Sequence, residues 1–183
     1  MCEVGDAEVT AGTVTDFLER LAARTPTPAG GAVAALCVAQ AAGLVAMVAR
    51  YCGTPALVEL AELQVARAQR LMVEDEEAFA AVAEAWGLPR GDAADDDVRR
   101  SAIGSALLAA SEPQAQVVET AVEVLVLIDV LRPSARVGLL SDLVAAGEVA
   151  RAGSAIARMN VESNLSRLPD SEGRSRLLRR MGV

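Results

Sequence analysis

The sequence contains no histidine, and all seventeen of its basic residues are arginine, so lysine is absent as well. Only four of its 183 residues are aromatic. These absences exclude a histidine-based catalytic triad, a lysine Schiff base, imidazole ligation of a metal, and the aromatic platforms on which single-strand nucleic-acid binders stack bases. Any acid or base in this chain is therefore Asp, Glu, Cys or Tyr51, and no metal site is predicted.

Charge and cysteine content narrow the class of protein further. A formal net charge of −8 argues against nucleic-acid binding, because affinity for a phosphate backbone depends on clustered cations. The three cysteines, Cys2, Cys37 and Cys52, form no CxxC pair, and the acidic N-terminus does not resemble a signal peptide. These features predict a cytoplasmic protein with reduced thiols.

Composition predicts an all-α fold, in which long helices form an up-down bundle within a single domain over residues 1–183. Alanine supplies 37 residues, and runs that alternate in polarity are scarce. The expected helices cover about residues 13–24, 28–49, 54–87, 97–111, 113–131 and 141–165. The arginines near the C-terminus, at positions 174, 176, 179 and 180, are interpreted as a solvated last helical turn that complements the helix dipole, with an anion contact as the alternative.

The segment from residue 28 to 49 carries no formal charge and is long enough to span a bilayer. Its alanine and glycine are far less lipophilic than the leucine and isoleucine of membrane spans, and Gln40 lies in its middle. The interpretation is a helix buried on all sides at the centre of the bundle, with no membrane partner. Its small residues would let a neighbouring helix approach closely.

Two polar features lie on predicted helices. The only asparagines, Asn160 and Asn164, share one helix face, and Asp142 lies about five turns earlier on that face, roughly 27 Å away. Within one protomer, Asp142 and Asn160 cannot both contact the same small ligand. An antiparallel dimer could bring Asp142 of one copy beside the asparagines of the other. The alternative interpretation is N-capping by Ser141 or Asp142 and a fraying end near Asn164.

The second feature is the acidic run at residues 74–77, which lies inside a predicted helix. Four consecutive carboxylates cover most of the helical circumference, so at least one leans toward the apolar side, and Asp75 is closest to it. A carboxyl group near apolar surface has a raised pKa and can donate a proton. The alternative is an ordinary solvated face.

The order of these features resembles the cyclodeaminase/cyclohydrolase family of folate enzymes over nearly the whole chain. The matching segments are PTPAGG at 26–31, MVA at 47–49, DEEAF at 75–79 with LP at 88–89, AI at 102–103 with AL at 106–107, EP at 112–113, SDL at 141–143 and NVESNL at 160–165. The resemblance implies a helical bundle that forms a homodimer, with a folate site at or near the subunit interface. It implies cofactor-independent cyclisation of formiminotetrahydrofolate with loss of ammonia, or hydrolysis of methenyltetrahydrofolate.

The resemblance also implies roles for particular residues. Asp75 matches the acidic residue associated with general acid/base catalysis, and Asp142 is the second predicted catalytic residue, suited to the amino-pyrimidine edge of a pterin. The predicted substrate-binding residues, which would supply backbone N–H groups or polar side chains, are Pro28, Gly30, Gly31, Ser141, Asn160 and Asn164.

The chain departs from the family pattern at several folate-contacting positions. Ala29 and Ala32 stand where glycine and serine are usual, Glu162 stands where arginine is common, and a basic stretch is missing at 50–55. Two alternatives therefore remain open. One is a divergent cyclase, or another enzyme forming or breaking C–N bonds in specialised metabolism, and the other is a non-catalytic helical binding dimer.

Overall fold

The computed structural model describes residues 12–181, and α-helices form nearly all of this part of the chain. Two short 3₁₀ turns, Arg132–Ser134 and Val137–Leu139, connect the fourth helix to the fifth. The helices are α1 (Val14–Ala22), α2 (Gly30–Cys52), α3 (Pro55–Gly87), α4 (Ala93–Leu131), α5 (Leu140–Leu165) and α6 (Glu172–Arg180). No strand occurs between residues 12 and 181, so the all-α prediction is confirmed. Cys2 and the acidic N-terminus lie outside the described residues.

Helix α2 is the core of the bundle and packs against α3, α4 and α5. Its small side chains permit close packing: a Cβ added at Gly153 of α5 would lie 2.7 Å from the Ala34 carbonyl oxygen. In length and hydropathy α2 resembles a membrane span, but 61% of its most apolar window is buried within the protein. The prediction of a core helix is confirmed, although Gln40 and Gly43 are exposed, so burial on all sides is wrong.

Helix α4 is a single helix of 39 residues, and the prediction of two helices separated near Pro113 is wrong. Proline at 113 removes one backbone hydrogen bond, but Pro113 and Gln114 are buried, and packing against α3 and α5 holds the segment helical. The helix also starts earlier than predicted. The Asp92 side chain caps it by accepting from the backbone N–H groups of Ala94 and Asp95.

The remaining helix ends lie close to their predicted positions. Thr13 caps α1 in a reciprocal capping box with Asp16, and α3 runs from Pro55 to Gly87 as expected. The Thr54 hydroxyl, however, donates to the Ala49 carbonyl 3.1 Å away and does not cap α3.

The C-terminal arginines form part of a docked helix, so the prediction of a solvated turn is wrong for two of them. Leu177 of α6 is buried, and the Arg180 guanidinium pairs with the carboxylates of Glu112 and Glu119 on α4. Arg174 pairs with Asp170. Helix α6 is therefore fixed to α4 through a buried leucine and an ion-pair network.

Candidate active site

A cleft of about 280 Å³ opens where the N-terminus of α2 meets the middle of α3, with walls from α4 and α5. Its apolar wall consists of Phe79, Trp86, Leu107 and Ala110, and the backbone of residues 29–31 forms its edge. The polar side chains that line it are Asp75, Gln114, Asn160, Ser163, Asn164 and Arg167. Four separate parts of the sequence therefore meet at one concave surface.

A chain of amides orders the Asp75 carboxyl group in this cleft. Asp75 is only 8% exposed, and the Gln114 side chain donates from Nε2 to Asp75 Oδ1 at 2.6 Å. The Asn160 side chain in turn donates from Nδ2 to Gln114 Oε1 at 3.3 Å. Asp75 from α3, Gln114 from α4 and Asn160 from α5 thus form one hydrogen-bonded series.

The environment of Asp75 raises its pKa to about 6. Removal from water is the main cause, and the nearby charge of Glu76 adds to it, while hydrogen bonds from Gln114 and from the Ala32 backbone act in the opposite direction. A carboxyl group with a pKa near 6 holds both forms in useful proportion near neutral pH. Asp75 can therefore both donate and accept a proton, as a general acid/base must.

Gly31 brings the backbone of α2 directly against Asp75. A Cβ at position 31 would lie 2.2 Å from both carboxylate oxygens of Asp75, which is closer than any side chain permits. The N-cap residue Ala29 supplies no side-chain hydrogen bond to α2, so Asp75 lies where a capping group normally acts. The positive end of the helix dipole therefore faces this carboxyl group.

The structure brings together five of the eight predicted site residues. Besides Asp75, the residues lining the cleft are Gly30, Gly31, Asn160 and Asn164. Pro28 is buried beside the cleft but does not line it.

Asp142 and Ser141 do not line the cleft, because they lie in the first turn of α5, about 27 Å from Asn160 along the helix. Their predicted roles stay predictions that a single protomer does not support.

Sequence reasoning missed the most important partner of Asp75, which is Gln114. The stripe of α4 that contains Val117 and Ala121 extends one turn earlier to Gln114, and this extension would have placed a glutamine on the buried face. Trp86 and Arg167 were missed as well. No local pattern marks them, since they reach the cleft only through helix packing.

Two carboxylates of the acidic run are buried, and they have different surroundings. Glu76 is 8% exposed and pairs through Oε2 with Arg20 of α1 at 2.5 Å, whereas Asp75 lines the cleft. Glu74 and Glu77 are exposed, so the solvated-face alternative holds only for them. The expectation that Asp75 leans toward the core is confirmed, but Glu76 is buried to the same extent.

The raised pKa of Asp75 predicts how pH affects stability. The ordinary pKa is 3.8 and the folded value is about 6, so the folded state binds more protons between these pH values. Stability from this group is therefore full below about pH 4 and falls as pH rises to 6, by roughly 3 kcal/mol. Urea unfolding of the wild type and of Asp75→Asn should show the variant gaining relative stability from pH 4 to 7. A difference that does not change with pH would contradict the raised pKa.

The fold and the cleft together define a class of protein: a helical bundle with one protonable carboxyl group, positioned by amides for proton transfer without histidine. Comparison with known proteins specifies the family. The family model described as formiminotransferase-cyclodeaminase matches residues 13–182. A methenyltetrahydrofolate cyclohydrolase from Methylorubrum extorquens is 31% identical over 169 residues, covering 86% of this chain and 81% of the relative.

The crystal structure of a formiminotetrahydrofolate cyclodeaminase from Thermotoga maritima has the same fold. It superimposes with a TM-score of 0.81 over 93% of this chain and 87% of its own, at 24% sequence identity. The chain therefore belongs to the formiminotransferase-cyclodeaminase family.

Proposed function

We propose that this protein is a folate one-carbon enzyme of the formiminotetrahydrofolate cyclodeaminase or methenyltetrahydrofolate cyclohydrolase type. The observation that carries the proposal is Asp75, a buried carboxyl group with a pKa of about 6 in a cleft that also presents amide side chains. Family membership and the cyclohydrolase relative support the same substrate class.

Both reactions pass through a tetrahedral carbon attached to two folate nitrogens, and they differ in the group that enters or leaves. In the cyclodeaminase reaction, the second folate nitrogen adds to the formimino carbon and releases its proton to solvent, Asp75 donates a proton to the departing nitrogen, and ammonia leaves as the methenyl bridge forms. In the cyclohydrolase reaction, Asp75 removes a proton from the attacking water and passes it to the nitrogen whose bond to carbon breaks, while the remaining hydroxyl proton is released to solvent as the formyl group forms. Neither reaction changes the oxidation level of the carbon, so the proposal needs no redox cofactor.

The amides of the cleft suit a pterin ring, which has both donors and acceptors along its edge. Asn160 and Asn164 each offer a carbonyl oxygen and an NH₂ group, and the α2 N-terminus at Gly30 and Gly31 offers backbone N–H groups. These groups would hold the ring so that its one-carbon unit faces Asp75.

We propose that the chain acts as a homodimer in the cytoplasm. Valines at positions 122, 126 and 130 of α4 and at 144 of α5 are each more than half exposed, an apolar stripe suited to a second copy. An antiparallel arrangement would bring Asp142 of one copy near the cleft of its partner. Sedimentation at micromolar concentration should give a particle of twice the chain mass. A monomer would contradict the proposed dimer and, with it, a role for Asp142 in the site.

The proposed activity is tested by following the methenyl chromophore. Purified protein should form it from formiminotetrahydrofolate, or consume it from methenyltetrahydrofolate, and Asp75→Asn should do so at least about 100-fold more slowly. Absence of both activities in the wild type, with no folate binding by calorimetry, would overturn the proposal. Turnover of a different amine or imine would instead favour a divergent C–N enzyme.

A further inference from the structure

Gln114 lies between Asp75 and Asn160, and both polar atoms of its side chain are in use. Its Nε2 donates to Asp75 Oδ1 at 2.6 Å, and its Oε1 accepts from Asn160 Nδ2 at 3.3 Å. Although the residue borders the cleft, it is only 1% exposed, so a bound ligand has almost no surface of Gln114 to contact. Gln114 can therefore influence a reaction in the cleft only through its two neighbours.

Asp75 determines which way the two amides point. An ionised carboxylate only accepts hydrogen bonds, so the NH₂ group of Gln114 must face Asp75 and its carbonyl oxygen must face Asn160. Asn160 must then donate, because two carbonyl oxygens that faced each other would both lack a donor. Its own Oδ1 is left for the cleft that it lines, and among residues 12–181 this oxygen accepts no hydrogen bond. The cleft therefore presents an acceptor at this point, which matches an N–H group on a substrate.

Gln114 is the side chain through which hydrogen bonding reaches Asp75, whereas the nearby charges act from other positions. Glu76, the next residue of α3, is paired with Arg20 of α1, and Arg167 lines the same cleft. Helix α2 approaches with its backbone, and the side chains that α4 contributes to the cleft are uncharged. Removal from water raises the pKa of Asp75 to about 6, and the Gln114 hydrogen bond is the larger of the two influences that lower it. A substitution at Gln114 alters this balance while the surrounding charges stay in place.

We infer that Gln114 is a positioning residue for the proposed reaction, holding Asp75 in place for proton transfer and turning the Asn160 carbonyl oxygen toward an N–H group of the substrate. The inference rests on the proposed function and assigns Gln114 no contact with the substrate itself. The amino-pyrimidine edge of a pterin carries such N–H groups. One buried amide thus connects the side chain that holds the substrate to the carboxyl group that exchanges the proton.

Gln114→Met tests both parts of this role, because it keeps the length and burial of the side chain but removes its two hydrogen bonds. The pH profile of kcat/KM should show an inflection from Asp75 at about pH 6 in the wild type. In the variant this inflection should move up by roughly one unit or more, the contribution of a hydrogen bond to a charged group. KM should rise about two- to tenfold, because the Asn160 amide is then free to turn.

Gln114→Glu separates the two effects. It keeps an oxygen that accepts from Asn160, so KM should stay close to the wild-type value. It also places a second carboxyl group beside Asp75, and the pair should titrate with an upper inflection above that of the wild type. Gln116→Met is the matched control, since Gln116 is half-buried on the same helix and does not line the cleft. Neither the inflection nor KM should change in it.

The titration of Asp75 is also measured without substrate, by NMR of its carboxyl carbon in the free protein. A folded Gln114→Met variant in which Asp75 titrates as in the wild type, or whose KM equals that of Gln116→Met, would overturn the inference and leave the proposed function intact. If circular dichroism shows that Gln114→Met does not fold, an unchanged inflection in Gln114→Glu would overturn it instead. A wild type that converts neither folate would overturn the proposed function and the Asn160 part of the inference, whereas the NMR titration would still decide whether Gln114 positions Asp75.

Discussion

Replacing Asp75 with asparagine is expected to lower kcat about 100- to 10,000-fold, the range over which a positioned acid or base contributes. Asparagine has nearly the same shape, and its carbonyl oxygen can still accept the hydrogen bond from Gln114. It cannot donate and take back a proton as a carboxyl group does. The loss should therefore appear in kcat and leave substrate binding largely unchanged, which steady-state kinetics and calorimetry measure separately.

The matched control for this substitution is Glu77→Gln, two residues along the same helix. Glu77 is exposed, so its loss of charge should change neither kcat nor the unfolding transition by much. Full activity of Asp75→Asn would remove Asp75 from the mechanism. Loss of helical signal would show that its role is structural, although a neutral side chain in this desolvated position should instead stabilise the fold at pH 7.

The sequence predicted those parts of the structure that depend on local signals. Pro55 at the start of α3 and the Thr13–Asp16 capping box fix helix ends through contacts within a few residues, and both helices begin within a residue of their predicted positions. Asp75 was identified for the same reason, because the helical wheel alone turns it toward the apolar side of α3. Asn160 and Asn164 were found through their rarity and their shared face.

The features that the sequence did not predict, such as the unbroken α4 and the cleft residues Gln114 and Arg167, depend on which helices pack together. Local sequence does not specify that packing. The chain was expected to break between two helices just before Pro113, but packing on both sides of α4 outweighs the lost hydrogen bond. Gln114 gains its role only because α4 lies opposite Asp75, and Arg167 reaches the cleft only because α5 ends there. Asp142 was assigned to the site through the family resemblance and an expected dimer, and the fold of one protomer does not test that assignment.

Gly31→Ala is expected to have the second large effect, on both activity and stability. The new methyl group would lie 2.2 Å from each carboxylate oxygen of Asp75, so the carboxyl group or the α2 backbone must move. Overpacking of this kind costs about 1–3 kcal/mol, which exceeds the gain of up to about 1 kcal/mol from alanine in a helix. A displacement of Asp75 by about 1 Å should reduce kcat on the order of 100-fold.

Gly43→Ala on the same helix isolates the backbone contribution. A Cβ at Gly43 meets no atom within 4 Å and the position is exposed, so this variant should keep its activity and be stabilised by up to about 1 kcal/mol. Urea unfolding and kcat for the two alanine variants therefore separate helix propensity from the clash. Equal behaviour of the two variants would show that Gly31 tolerates a side chain.

A double-mutant cycle connects the Gly31 effect to the carboxyl group itself. Asp75→Ala removes the atoms that approach the added Cβ within 2.4 Å, namely the two oxygens and Cγ. In that background, Gly31→Ala should lose its destabilising effect, giving an interaction energy of about 1–3 kcal/mol between the two positions. A cost that persists without the carboxyl group would place the strain elsewhere in the α2–α3 contact. Because the cycle measures unfolding rather than turnover, it tests the close approach of Gly31 and Asp75 independently of any substrate.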